Sequence, residues 1–238
     1  MAGVRRIAIA IDGYSSCGKS TLARDLARQL GYLHLDTGAM YRAVALALLR
    51  DGLSPLLLKN DEEAQRAFLG AHTVEVRAGR EGEAEVLLDG QVVGEALRSL
   101  EVSALASEVS AWPLVRQKLQ AVQRRLGDAG GVVMDGRDIG TVVLPNAELK
   151  IFMTAELPVR VERRKKELAE KGLNLSDQEV EDNLKQRDYA DTHRAADPLR
   201  QAPDARLLDT THLSREEQTA VALEWVKQIV NKLMGEKC

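Results

Sequence analysis

The sequence predicts an α/β fold: a doubly wound parallel sheet with helices on both faces and a small antiparallel sheet inserted in it. Three observations carry this prediction. The chain opens as an apolar strand, a glycine loop and a helix. Apolar strand-like runs then alternate with helical periods to the C-terminus. One intervening stretch switches to short alternating segments around an Asp-Gly turn.

The opening run, Val4-Arg5-Arg6-Ile7-Ala8-Ile9-Ala10-Ile11, is rich in β-branched residues and suits a buried parallel strand. It leads into Gly13-Tyr14-Ser15-Ser16-Cys17-Gly18-Lys19-Ser20, followed by Thr21, which fits G-x-x-x-x-G-K-[ST] at each fixed position. Glycines in such a loop let backbone N–H groups turn inward onto phosphate oxygens. Lys19 adds a charged donor for β- and γ-phosphates, and the Ser20 hydroxyl is placed to ligate Mg²⁺. Leu22, Leu26 and Leu30, with Ala23 and Ala27 beside them, make the helix face that must follow. The chain is therefore expected to bind a nucleoside triphosphate through residues 13–21. Cys17 admits two readings, a reactive thiol in an electropositive loop or a small residue filling a tight turn.

Tyr32-Leu33-His34-Leu35 reads as a short strand, and Asp36 or Thr37 as the cap of a helix carrying Met40, Tyr41, Val44, Ala45 and Leu48. A hydroxyl at that helix start with Arg42 one turn inside suits an anion, although a capped surface helix would look the same. From Leu56 to about Leu97 the composition changes. Thr73 to Arg77 alternates, and Glu85-Val86-Leu87-Leu88 and Gln91-Val92-Val93 flank Asp89-Gly90, a strong hairpin signal. Ala78 to Ala84 reads as an exposed connection. Two helices follow, one with Val102, Leu105, Ala106 and Val109, the other opened by Pro113 and carrying Val115, Leu119, Val122 and Leu126.

Gly131-Val132-Val133-Met134-Asp135 is a buried strand ending on a carboxylate, the position of a metal-side aspartate in phosphate-loop proteins. Gly136-Arg137-Asp138-Ile139-Gly140 follows it in place of the glutamate of a water-activating ATPase, and no Asn-Lys-x-Asp guanine motif occurs. Leu149 to Met153 is a further core strand. Beyond it lie two polar helices, about Leu157–Glu170 and Asp177–Thr192, with arginines on each: Arg160, Arg163 and Arg164, then Arg187, with Arg194 just beyond. Solvated ion-paired helices would explain such a charge run. A phosphate loop in the same chain equally needs cations that close over transferring phosphates. Ala205 to Asp209 forms the last strand, and a helix with Val221, Trp225, Ile229 and Leu233 ends the fold.

The 238 residues suffice for one core with small appendages, and a net charge of −3 gives no general attraction to nucleic acid. Only 3% of residues are aromatic, too few for base-stacking platforms. No apolar run approaches a membrane span or signal segment, so a cytoplasmic protein without membrane partners is expected. Cys17 and Cys238 do not suggest a disulfide framework, and four scattered histidines lack metal-ligand spacing. A monomer is expected, since no exposed heptad is evident.

Several segments together resemble the bacterial cytidylate kinase family. They are Ile-Asp-Gly at the loop, Asp36-Thr37-Gly38-Ala39-Met40-Tyr41-Arg42, Asp135-Gly136-Arg137-Asp138-Ile139-Gly140-Thr141-Val142-Val143, Arg160-Val161-Glu162-Arg163-Arg164 and the arginine–aspartate series from Arg187 to Arg194. The resemblance runs from about Ile7 to Leu233. Tyr14, Ser16 and Cys17 depart from it, standing where proline and very small residues are common.

The resemblance implies a P-loop sheet with three parts: a core of residues 1–36, 99–153 and 195–238, a CMP-binding lobe of 37–98, and a helical lid region of 154–194. It implies transfer of the γ-phosphoryl of ATP to CMP and dCMP with Mg²⁺. Thr37, Arg42, Arg137 and Arg194 match positions that hold the CMP phosphate, and Arg187 and Asp191 match those on the phosphate-proximal side and sugar. Arg163 and Arg164 match lid arginines aimed at ATP. Ser107, Arg116 and Asp138 match the base-reading positions, where Asp138 and Ser107 accept from the cytosine amino group and Arg116 donates to N3 or O2. Ser20 is the implied Mg²⁺ ligand, with Asp135 as a second candidate beside it. The acceptor is already a phosphate, so the chemistry requires positioning and charge stabilisation without a protein base. Other readings of the same chain are a kinase of UMP, AMP or shikimate, a regulatory nucleotide-binding module, and a polynucleotide 5′-kinase, for which no groove is legible.

Overall fold

A computed structural model describes residues 6–79 and 82–235 of the chain. Val4 and Arg5 of the expected first strand, and Cys238, lie outside the described residues. Five parallel strands form the central sheet: β1 (Ala8–Gly13), β2 (Leu33–Asp36), β6 (Val132–Gly136), β7 (Leu149–Thr154) and β8 (Arg206–Asp209), in the order β2-β6-β1-β7-β8. The expected doubly wound architecture is present.

Strand alternation explains how the two faces differ. Ile7, Ile9 and Ile11 point to one side, where they pack with Leu22 and Leu26 of α1 (Lys19–Leu30) and Ala222 and Val226 of α9 (Arg215–Gly235). Ala8 and Ala10 point to the other side, where small side chains allow close packing with α2 (Thr37–Arg50) and α6 (Pro113–Asp128). Of the two residues offered as a cap for α2, Asp36 takes the role, accepting from the Ala39 N–H at 3.3 Å.

The inserted sheet holds β3 (Val74–Ala78), β4 (Ala84–Leu88) and β5 (Gln91–Val92), antiparallel throughout, with the Asp89-Gly90 turn in place. The sequence reading missed what precedes it, a short helix α3 (Pro55–Leu58) and α4 (Glu62–Ala71). Asp61 caps α4 at 2.9 Å from the Ala64 N–H, Glu62 and Glu63 occupy its first turn, and Gln65, Phe68 and Leu69 bury one face. Those signals were legible in the sequence. The connection read as exposed is partly docked: Glu83 bridges to His34 at the edge strand β2, and Arg24 pairs with Glu83 at 2.7 Å. Arg80 and Glu81 lie outside the described residues.

Val86, Leu88 and Val93 of the insert share one apolar core with α2, α5 (Leu100–Val109) and α6. The polar helices α7 (Leu157–Glu170) and α8 (Asp177–His193) instead hold a separate small core of Val161, Leu168, Val180 and Leu184. Ser176 and Glu179 form a capping box that starts α8.

Candidate active site

The phosphate loop leaves β1 at Gly13, with φ of 147°. A Cβ there would lie 2.1 Å from the Met153 carbonyl oxygen, so only glycine lets the chain turn beside β7. Lys19 is buried, and its Nζ donates to the Tyr14 carbonyl at 2.6 Å within the loop. Burial, and then the neighbouring Arg137, lower its pKa, a strain that an anion in the loop relieves. Gly18 caps α1 with φ of 100°, and Ser20 and Thr21 follow in its first turn. Cys17 is fully buried and its carbonyl accepts from Thr210 at 3.0 Å, which makes it a packing residue of the turn.

Register places the end of β6 beside the end of β1, with Ile11 opposite Asp135 and Asp12 opposite Gly136. That brings the Ser20 hydroxyl to 2.6 Å from Asp135 Oδ2. The other carboxylate oxygen of Asp135 is 2.8 Å from His34 Nε2, and its backbone carbonyl accepts from Thr37 Oγ1 at 2.7 Å. A hydroxyl and a carboxylate adjoining at the phosphate loop form the hard oxygen donor set that suits Mg²⁺.

Next to this pair stands a group of cations. Arg137 donates from Nε to Asp191 at 2.6 Å and from Nη2 to Ser15 Oγ at 3.1 Å. Arg42 pairs with Asp36 at 2.6 Å. Among the described residues Arg187 has neither an ion-pair partner nor a side-chain hydrogen bond. Its pKa is pushed down to about 10, first by burial and then by Arg137, Arg164 and Arg42, against the pull of Asp191. Guanidinium groups this crowded create a surplus of positive charge, the electrostatic condition of an oxyanion site. Arg163 and Arg164 diverge, as consecutive helical residues must. Arg164 belongs to this group, pairing with Glu167 at 2.8 Å. Arg163 reaches behind the loop, to the Thr210 carbonyl at 2.7 Å and the Cys17 carbonyl at 3.4 Å.

A second polar cluster lies at the start of α6. Arg116, 2% exposed, donates to Asp138 at 2.5 Å, to Asp197 at 2.8 Å and to the Ser110 carbonyl at 3.1 Å. Asp138 also accepts from Gln120 at 3.2 Å and Arg194 at 3.3 Å. Ser107 is exposed, and its carbonyl accepts from Ser110 Oγ one residue-turn from the Arg116 contact. The ring of Tyr41 lies 5.7 Å from the Arg116 guanidinium.

Sequence reasoning missed several supporting residues. Asp12 accepts from the N–H groups of Ile139 and Gly140 at 2.8 and 2.7 Å, pinning the segment that carries Asp138. Burial pushes its pKa up to about 6 despite those two bonds. Asp188 on α8 accepts from Ser15 N–H at 3.2 Å and from Arg160 at 2.5 Å, so the helical pair is tied to the phosphate loop. Asp12 sits in the Ile-Asp-Gly segment and Asp188 follows Arg187, so both were visible as residue types. Nothing in the linear pattern pointed to Asp197 or Gln120, because their partners are about 80 residues away in the chain or on another element.

A family model described as cytidylate kinase matches residues 9–228. A cytidylate kinase of Parabacteroides distasonis is 47% identical over 233 residues, covering 98% of this chain and 100% of that protein. One of Bacteroides thetaiotaomicron is 44% identical over 233 residues with the same coverage. Among solved structures, an uncharacterized protein of Eubacterium ventriosum shares the fold at 11% identity, with a TM-score of 0.51 over 94% of this chain and 99% of that one.

Proposed function

This chain belongs to the cytidylate kinase family, and from that premise we infer that it transfers the γ-phosphoryl group of ATP to CMP, giving ADP and CDP. The observation that carries the site assignment is the surplus of guanidinium groups beside the phosphate loop, with Arg187 held among Arg42, Arg137 and Arg164.

In this reading the loop amides and Lys19 hold the phosphates of ATP. The Ser20 hydroxyl and Asp135 would hold Mg²⁺, which when bound would supply charge neutralisation for the transferring phosphates. Arg42, Arg137 and Arg194 fork onto the acceptor phosphate, with Thr37 at the N-terminus of α2 contributing its hydroxyl. Arg187 and Asp191 serve the phosphate-proximal side and the sugar. Arg164 faces the shared phosphate space from the lid, and Arg163 fixes the lid to the back of the loop. Because the acceptor's second pKa is about 6, its oxygen is nucleophilic at neutral pH without a base. The residues around the reacting oxygens contribute orientation and positive charge.

Asp138, with Ser107, accepts from the cytosine amino group, and Arg116 donates to the N3 and O2 edge. Uracil reverses both patterns and leaves buried polar groups unpaired. dCMP presents the same base and phosphate and is an acceptor too. Of the three parts, residues 1–36, 99–153 and 195–238, residues 37–98, and residues 154–194, the last is supported by the separate small core of α7 and α8, while residues 37–98 share one apolar core with α5 and α6. No described helix is long and apolar enough to cross a membrane.

The test is a coupled ADP-release assay with Mg²⁺·ATP and each of CMP, dCMP, UMP, AMP and shikimate, with product identified. Turnover with CMP and dCMP and little with UMP is expected. Turnover confined to another acceptor overturns the base pocket, and ATP binding without transfer overturns the kinase reading.

A further inference from the structure

Asp197 follows α8 and has φ of 47°, in the left-handed region that aspartate enters more readily than most residues. That conformation turns two of its groups onto the cluster around Arg116. Its backbone carbonyl accepts from Arg194 Nε at 2.8 Å. Its carboxylate Oδ2 accepts from Arg116 Nε at 2.8 Å and from Gln120 Nε2 at 2.7 Å. One residue thus touches both arginines that also contact Asp138.

The geometry decides how Arg116 is presented. A guanidinium has five N–H donors in a fixed fork. Asp197 takes the Nε donor, the Ser110 carbonyl takes one at Nη1 and Asp138 takes one at Nη2. One N–H on each terminal nitrogen remains for a ligand. The carboxylates of Asp138 and Asp197 both pair with Arg116, while Arg194 pairs with Asp138 and lies 3.9 Å from Asp191. Without Asp197, Asp138 is the sole carboxylate paired with Arg116. The planar fork is then free to swing toward a bidentate grip on it, competing with Arg194 for Oδ1.

We propose that Asp197 is a positioning residue for base recognition: it anchors Arg116 by its Nε edge, which keeps a face of Asp138 open to the exocyclic amino group of the acceptor base. This rests on the reading of Arg116 and Asp138 as the base pocket. Burial works against ionisation of Asp197, and the hydrogen bonds from Arg116 and Gln120 outweigh it, so the anchor is charged at neutral pH.

Steady-state kinetics of the full chain test it, using Asp197→Ala, Asp197→Asn and, as a control on the pocket itself, Arg116→Met. Asp197→Ala is expected to raise KM for CMP and shrink the CMP-over-UMP ratio of kcat/KM by about tenfold, with KM for ATP within about twofold of the unaltered chain. Asp197→Asn, which keeps an acceptor for Arg116 Nε, recovers most of that loss. Thermal melts accompany each variant, and Asp197→Ser replaces the alanine variant if that one melts below the assay temperature. The proposal is overturned if the CMP-over-UMP ratio stays within about twofold, if KM for ATP rises in step with that for CMP, or if Asn is no better than Ala. Loss of the ratio in Arg116→Met but not in Asp197→Ala overturns this proposal alone. An unchanged ratio in Arg116→Met overturns the base pocket with it.

Discussion

The Ser20 hydroxyl donates to Asp135 Oδ2 across 2.6 Å, joining the start of α1 to the end of β6. Asp135→Asn keeps an acceptor for this bond and removes the charge. The expected outcome is a 10- to 100-fold loss of turnover, about the effect of altering a metal-site partner, with a raised Mg²⁺ requirement. A Mg²⁺ titration of the coupled assay measures it, and an unchanged Mg²⁺ midpoint would separate Asp135 from the metal.

Arg187 lies among three other guanidiniums that each have a carboxylate partner, Arg137 with Asp191, Arg42 with Asp36 and Arg164 with Glu167. An anion that fills the gap should stabilise the folded chain, by about 1.4 kcal/mol at ten times its Kd. Sulfate or pyrophosphate is therefore expected to raise the melting temperature of the unaltered chain and to raise that of Arg187→Met much less. Equal shifts in both would place the anion elsewhere.

His72 joins three elements at the edge of the inserted sheet. Its ring nitrogens lie 2.8 Å from Asp89 and 2.9 Å from Asp51, and Lys118 donates to its carbonyl. Partial burial disfavours the charged ring, but the hydrogen bonds and charges of Asp89 and Asp51 outweigh it and raise the pKa above 6.5. A raised histidine binds its proton more tightly when folded. Its stabilisation is complete below pH 6.5 and is lost as pH rises through the folded value. Urea midpoints at pH 6 and pH 9 should thus fall more in the unaltered chain than in His72→Gln, and parallel falls would remove His72 as the cause.

Much of the fold was legible because its signals are local. The boundaries of α7 and α8, the Asp89-Gly90 hairpin and the strand–loop–helix opening follow from apolar period, caps and turn residues within a few positions. The helix α4 is announced by Asp61, Glu62 and Glu63, but its short apolar face adjoins alternating segments whose period dominates the stretch.

The sequence by itself determined the phosphate-loop motif, the strand-end carboxylate and the motifs by which the chain resembles its family, since each rests on residues a few positions apart. Only the tertiary structure decided which charges meet. Ser20 with Asp135, Ser15 with Asp188 and Arg116 with Asp197 are joined by parallel strand register and helix packing. It also parted Arg163 from Arg164, which are neighbours in the chain but about 100° apart around a helix. Electrostatic energy depends on distance through space and on burial, and neither quantity is written in the order of residues.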